Sequence, residues 1–408
     1  MNSSLNAGDT AWMLVATALV FLMTPAGLAL FYGGLSNVRN VINTVGMSYV
    51  SMCVATIAWV AVGYTIAFGE SHSMLFGNLK HIFLWGINPT DVTGTIPTLL
   101  YVSFQGVFAA IAVAIISGSV VERMKFSTWI TFATLWVIFV YSPMAKWVWG
   151  HGFLHQLGEL DFAGGTVIHI NAGIAGLVLA LALGKRKNHE DSTGPSSLKL
   201  TVLGSALLWF GWFGFNAGSQ LAADGIAANA LLVTNVAACI GGLAWMAVEW
   251  LTDRKPSMLG LASGVISGLV GITPAAGFVD VSGALMIGMV SGWVGYFGVV
   301  RLKTLLRYDD TLDAFGIHGL VGIWGALATG LFANPAINGA AGMFYGNPGQ
   351  LLPQIAATLV TIVFSGGATW IIYQISAWIT SGGRVEEHIE AQGIDVAYHR
   401  ERGFAEVK

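Results

Sequence analysis

Two histidines stand where a membrane segment should be most apolar. His169 lies in Asp161-Phe-Ala-Gly-Gly-Thr-Val-Ile-His169-Ile-Asn171, which opens an apolar run ending near Gly184. His318 lies in Asp313-Ala-Phe-Gly-Ile-His318-Gly, followed by Leu-Val-Gly-Ile-Trp. An ionisable side chain facing lipid is costly, so each is expected to face a cavity or a partner. A dry site favours the neutral imidazole, and a neutral pair can share one hydrogen bond and pass a proton. A buried histidine standing alone serves as a hydrogen-bonded structural group; an aspartate-then-histidine pattern occurring twice is what points to chemistry. Neither histidine has a cysteine or carboxylate at metal-ligand spacing, and Asn171 is a poor zinc ligand, so no metal and no cofactor are expected. Asp161 and Asp313 each precede a helix, where a carboxylate caps exposed amides and complements the helix dipole.

A second chemical stretch is Trp209-Phe-Gly-Trp212-Phe-Gly-Phe215-Asn-Ala-Gly-Ser219. Phe215 and Ser219 share one helix face at i, i+4. A ring below a hydroxyl suits a weakly hydrated cation, through an acceptor oxygen and a cation–π attraction of about 0.5–2 kcal/mol. Phe104 and Phe108 repeat that spacing. By spacing alone these rings read as packing, and Trp147 and Trp149 as interfacial anchors.

The elements that must position these residues are membrane helices. The 408-residue chain is 55% hydrophobic and only 10% charged, which excludes a soluble domain and any nucleic-acid partner. Eleven spans are expected, at 10–32, 42–68, 97–121, 127–143, 163–184, 199–222, 226–251, 258–277, 283–303, 314–334 and 353–380, the short fourth being the least regular. The first reads as a retained helix and not as a cleaved signal. The 53 glycines predict close helix crossings. Cys53 and Cys239 fall within apolar runs and read as buried free thiols. With the N-terminus outside, every basic residue except Lys80 and Lys146 falls on the inner side, Lys408 included. Five spans precede the loop at 185–198 and five follow before the last helix. An odd number per half sets the halves in opposite orientations, giving inverted repeats at about 10–184 and 199–334, a final helix at about 353–380 and an inner tail at 381–408. The fifth span of each half carries a histidine, so His169 and His318 are predicted to converge.

These stretches closely resemble the Amt/Mep/Rh ammonium transporters, specifically the bacterial and archaeal Amt branch. The resemblance rests on Phe31-Tyr-Gly-Gly34, Phe104-Gln-Gly-Val-Phe108, Glu122-Arg-Met-Lys-Phe126, Val148-Trp-Gly150, the run from Asp161 to His169, Gly211 to Ser219, Gly271-Ile-Thr-Pro-Ala-Ala-Gly277 and Asp313 to Gly319. It implies a multi-pass protein of the plasma (cytoplasmic or inner) membrane, a homotrimer of eleven-helix subunits with one pore each, and no enzyme activity. It implies that Trp149, Ser219 and Phe108 recruit ammonium outside, that Phe108 and Phe215 form a gate, and that His169 and His318 line the pore and relay protons. Asp161, Trp212 and Phe104 would support them. Ammonia crossing with a separate proton, and so net charge, is favoured; an electroneutral ammonia channel and an ammonium sensor are the alternatives. An intramembrane metalloenzyme on the two histidines and carbon dioxide conduction are both disfavoured. The tail resembles the family ending at Gly393-Ile-Asp395 and His399, but Arg400, Gly403 and Phe404 depart from it; docking of a PII signalling protein at the inner face is the implied partner.

Overall fold

The computed structural model describes residues 4–187 and 194–404. Among these described residues, ten helical segments are long and apolar enough to cross a membrane: Ala7–Leu35, Val41–Phe68, Thr98–Ser117, Phe126–Leu157, Gly165–Leu183, Leu198–Gly218, Gly225–Asp253, Val281–Leu306, Phe315–Phe332 and Pro348–Ile379. A shorter apolar helix, Met258–Ile272, stands between the seventh and eighth of these. It is the eighth of the eleven expected spans, and the spans are numbered one to eleven below. Lys408 lies outside the described residues.

Two boundaries differ from the sequence expectation for reasons that involve proline. Span four does not stop at Pro143 but stays helical to Val148. Proline lacks an N–H and crowds the preceding turn. Wider π-type turns over Val137–Tyr141 absorb it, and the Ser142 hydroxyl donates to the Val137 carbonyl at 2.8 Å. Span eight ends early, at Ile272, because Pro274 follows and has no N–H with which to continue the helical ladder. The shortened end is used: the Pro274 carbonyl accepts the Phe162 N–H at 3.0 Å and so seats the loop before His169.

Glycine sets the crossing of the two histidine spans. A Cβ on Gly173 would lie 2.2 Å from the Gly319 backbone nitrogen, so spans five and ten meet backbone to backbone. Span three is the most enclosed, with every residue from Phe104 to Ser117 buried. The thiols of Cys53 and Cys239 are free, but both side chains are exposed on the outside of the helix bundle, contrary to the expected burial. Apolar runs continue around the whole circumference of a membrane helix, so hydropathy alone does not tell a lipid-facing position from a packed one.

The two faces of the bundle differ. On the N-terminal face, a short hairpin pairs Val92–Thr93 with Ile96–Pro97, and Asn6 N–H donates to the Thr95 carbonyl at 2.8 Å. On the opposite face the tail packs down. The Asp395 carboxylate accepts the backbone N–H groups of Ile42 and Asn43 at 3.0 and 2.8 Å, and His399 Nε2 meets Asn43 Oδ1 at 3.0 Å. Arg384 pairs with Glu390 at 2.8 Å and donates to the Leu183 carbonyl at the end of span five. Beneath it Arg186 bridges Glu122 and Asp309 at 2.7 and 2.9 Å. Burial raises the Asp309 pKa, but the hydrogen-bonded Arg186 guanidinium, with Arg123 beyond it, outweighs this and holds the carboxyl well below the usual range.

Candidate functional site: a line of rings below an open cavity

Each histidine is carried on wide π-type turns, Gly165–Ile170 and Phe315–Leu320. Asp161 organises the first set. Its Oδ1 accepts the N–H groups of Gly164 and Gly165 at 2.8 and 2.7 Å, and its Oδ2 those of Thr166 and Val167 at 2.8 and 3.2 Å. Four amides that a helix start leaves without partners are thereby satisfied by one carboxylate. The second set is capped by Asp310, whose Oδ2 accepts the Phe315 N–H at 2.7 Å. Asp313, expected to do this, instead pairs with Lys303 at 2.6 Å. The register explains the exchange. Asp161 and Asp310 each lead their histidine by eight residues. Gly164 and Asp313 each lead by five, and both adopt left-handed backbone, with φ of 117° and 63°. Asp313 therefore corresponds to Gly164, not to Asp161.

With spans five and ten crossed at their glycines, the histidines meet. His169 Nδ1 and His318 Nδ1 are 3.2 Å apart and both side chains are buried. Their rings lie 5.2 Å apart at 25°. Above His169 comes Phe215, with ring centroids 6.1 Å apart, and above Phe215 comes Phe108, stacked at 4.3 Å and 22°. Trp212 flanks His169 at 5.6 Å, its indole N–H donating to the Thr273 hydroxyl at 2.9 Å. Phe104 stands behind Phe108 at 4.7 Å and packs under Gly218. Next to the histidines the space narrows to about 10 Å³, walled otherwise by apolar groups such as Ile111, Leu208 and Ile266. That is near the least volume that holds one water-sized molecule.

On the N-terminal side of the phenylalanine pair lies an open cavity of about 310 Å³, lined by Trp149, Ser219, Phe108 and Gln105 among others. The Trp149 indole N–H is committed to the Asp161 carbonyl at 2.9 Å, and its ring meets Phe108 edge-on at 6.0 Å and 81°. The Ser219 hydroxyl donates to the Phe215 carbonyl at 2.8 Å, which leaves its oxygen lone pairs for a donor in the cavity. All nine sequence-derived site residues lie in this line, beside it or in the cavity above it. Residue patterning missed Asp310, Thr273 and Glu159. Only Asp310 had a signal, the repeated eight-residue lead over a histidine. Glu159 lines the cavity, yet both carboxylate oxygens are buried without a hydrogen-bond partner. Burial first, and the neighbouring Asp161 second, push its carboxyl well above the usual range.

Residues 11–404 match the model of the Ammonium Transporter Family. The chain belongs to that family. It is 49% identical to the ammonium transporter of Aquifex aeolicus, over 98% of this chain and 94% of that one. It is 43% identical to the ammonium transporter Amt1 of Archaeoglobus fulgidus, over 97% and 99% of the two chains. Among solved structures, that of Saccharomyces cerevisiae Mep2 superposes with a TM-score of 0.88 at 35% identity, covering 94% of this chain and 89% of that one. A structure titled Sensor Amt Protein superposes with a TM-score of 0.89 at 27% identity, over 96% and 98%. The chain is thus a multi-pass membrane protein of the ammonium transporter family.

Proposed function

We propose that this ammonium transporter recruits ammonium at the cavity beside Trp149, Ser219 and Phe108, removes a proton, and passes ammonia between the histidines. The observation that carries the reading is the unbroken line Phe108, Phe215, His169, His318, with an open cavity at the Phe108 end and a narrow, apolar-walled space beside the histidines. Potassium and ammonium are similar in size, so a sieve cannot separate them. Ammonium can donate hydrogen bonds and can give up a proton; potassium can do neither. A bare cation in the constriction would be strongly disfavoured. The Trp149 face and the Ser219 lone pairs offer a cation–π surface and an acceptor to ammonium before the gate.

The proton is accounted for by the imidazole pair. Of the two neutral rings, one donates from Nδ1 and the other accepts at Nδ1. The pair then presents one Nε2 lone pair and one Nε2–H. A proton taken up at the first Nε2 moves the shared proton across and releases one from the second. Ammonia and proton recombine beyond the pore, so one positive charge crosses per ammonium. On this reading the N-terminal face is outside and the tail lies in the cytoplasm of a cell whose inner membrane holds a homotrimer. The docked tail is a suitable seat for a PII-type signalling partner. The likeness to a protein titled as a sensor favours one second reading, in which occupancy of the same cavity is signalled rather than transported.

Replacing His169 with Ala tests the histidine role. In a competition flux assay on reconstituted protein, the variant should discriminate less well against potassium than the wild type. Unchanged discrimination would contradict the role given to the pair.

A further inference from the structure

We propose that His151 and His155 form a binding site for a divalent transition-metal ion of the zinc, nickel and copper class, and that its occupation slows ammonium entry. His155 lines the open cavity and His151 stands next to it, where the function reading has no use for them. His151 Nδ1 and His155 Nε2 lie 3.4 Å apart in a long contact, with the rings at 86°. That is longer than the about 2.7–3.2 Å of an ordinary N–H hydrogen bond. It does match the spacing of two imidazole nitrogens on one tetrahedral ion: bonds of about 2.0–2.1 Å at the tetrahedral angle put the nitrogens about 3.3–3.4 Å apart.

The pair is held in place by backbone, not by chance rotamers. His151 sits in left-handed conformation, φ 59°, a region uncommon outside glycine. Its carbonyl accepts the Gln156 side-chain amide at 3.3 Å, and His155 is fixed within the short helix Phe153–Leu157. Both histidines are exposed, so an ion reaches them from solvent, while His155 also lines the cavity that holds Trp149 and Ser219. No group of three or more His, Cys, Asp or Glu side chains able to hold a metal occurs among the described residues. The ion would therefore have two protein ligands and complete its shell with water. Imidazole nitrogen selects zinc, nickel or copper over magnesium and calcium, which prefer oxygen.

The effect on transport rests on the reading that ammonium enters through this cavity; the binding itself does not. At a separation on the order of 10 Å in a water-like medium, a divalent charge disfavours ammonium by up to about fourfold at low ionic strength, and by less as salt screens it. The test uses tag-free protein. Zinc chloride is titrated calorimetrically, and copper(II) binding is followed by electron paramagnetic resonance. The wild type should bind one more ion per chain than His151→Ala, and His151→Asn, which tolerates the left-handed backbone, should reproduce that loss. In reconstituted vesicles at low ionic strength, zinc should raise half-saturating ammonium by up to about fourfold in the wild type and leave both variants unaffected, with magnesium inert. Equal metal stoichiometry in wild type and both variants would overturn the site. A His151-dependent ion with zinc-insensitive ammonium currents would overturn the inhibitory role. A His151-dependent ion in a protein that carries no ammonium would uphold the site and sink the transport reading instead.

Discussion

Glu159 is the residue whose chemistry is least settled by its neighbours. It has two buried oxygens without hydrogen-bond partners, only 7% exposure, and a carboxyl pushed up by burial and by Asp161. A carboxyl whose folded-state pKa exceeds its unfolded value of about 4.3 contributes most to stability when protonated. That contribution is full below the unfolded value and is lost as pH rises through the folded one. The thermal midpoint of the detergent-solubilised protein should accordingly fall as pH rises above about 4.3, and Glu159→Gln should flatten that fall. A Glu159→Gln profile parallel to the wild type would show that the carboxyl titrates normally. At this scale the sequence was legible wherever residue type and repetition coincided. His169, His318 and Asp161 announced themselves by the cost of burying them. The phenylalanines and Trp149 did not, because a ring at helical spacing is the commonest core residue; resemblance to the family singled them out. Thr273 was hidden because its partner Trp212 is distant in sequence, and Glu159 because no residue pattern marks a carboxylate buried without a partner.

At the scale of elements, two caps hold the two π-type turns, and they differ in strength. Asp161 satisfies four amides, whereas the hydrogen bonds of Asp310 include one, to Phe315. Asparagine keeps a single acceptor oxygen. Asp161→Asn therefore leaves about two buried amides unpaired, at about 1–3 kcal/mol each. Asp310→Asn can turn its remaining oxygen to Phe315 and should cost less than about 1.5 kcal/mol. Thermal unfolding of the two variants side by side measures the difference; an equal loss would mean that the caps are equivalent. Span number and approximate limits were readable because lipid forces long apolar helices. Cap identity showed only in the register, since Asp309, Asp310 and Asp313 all precede span ten and Asp310 alone shares the eight-residue lead of Asp161 over its histidine. Likewise Pro143 looked like an end to span four because a sequence pattern does not show that a wide turn will absorb it.

For the whole molecule, the charge distribution sets an orientation that can be checked without transport. With Cys53 and Cys239 replaced, a cysteine at Ser71, exposed on the N-terminal face, should react with an impermeant maleimide on intact cells. One at Glu387, exposed on the tail face, should react only after permeabilisation. The reverse pattern would invert the direction of every step proposed above. The tail looked in sequence like a solvated appendage because its partners, Arg39 to Asn43 and Leu183, lie far away along the chain. Its docking ties the end of the His169 span to the loop before the His318 span, through Arg384, Arg186 and Asp309. The central claim is that ammonium crosses as ammonia plus a separately relayed proton. Solid-supported-membrane electrophysiology on the reconstituted protein, with an ammonium pulse and a potassium control, tests it most directly. The account expects a sustained current with ammonium and none with potassium. Ammonia entry seen by internal pH without any current would contradict it, and would make the pore an electroneutral channel.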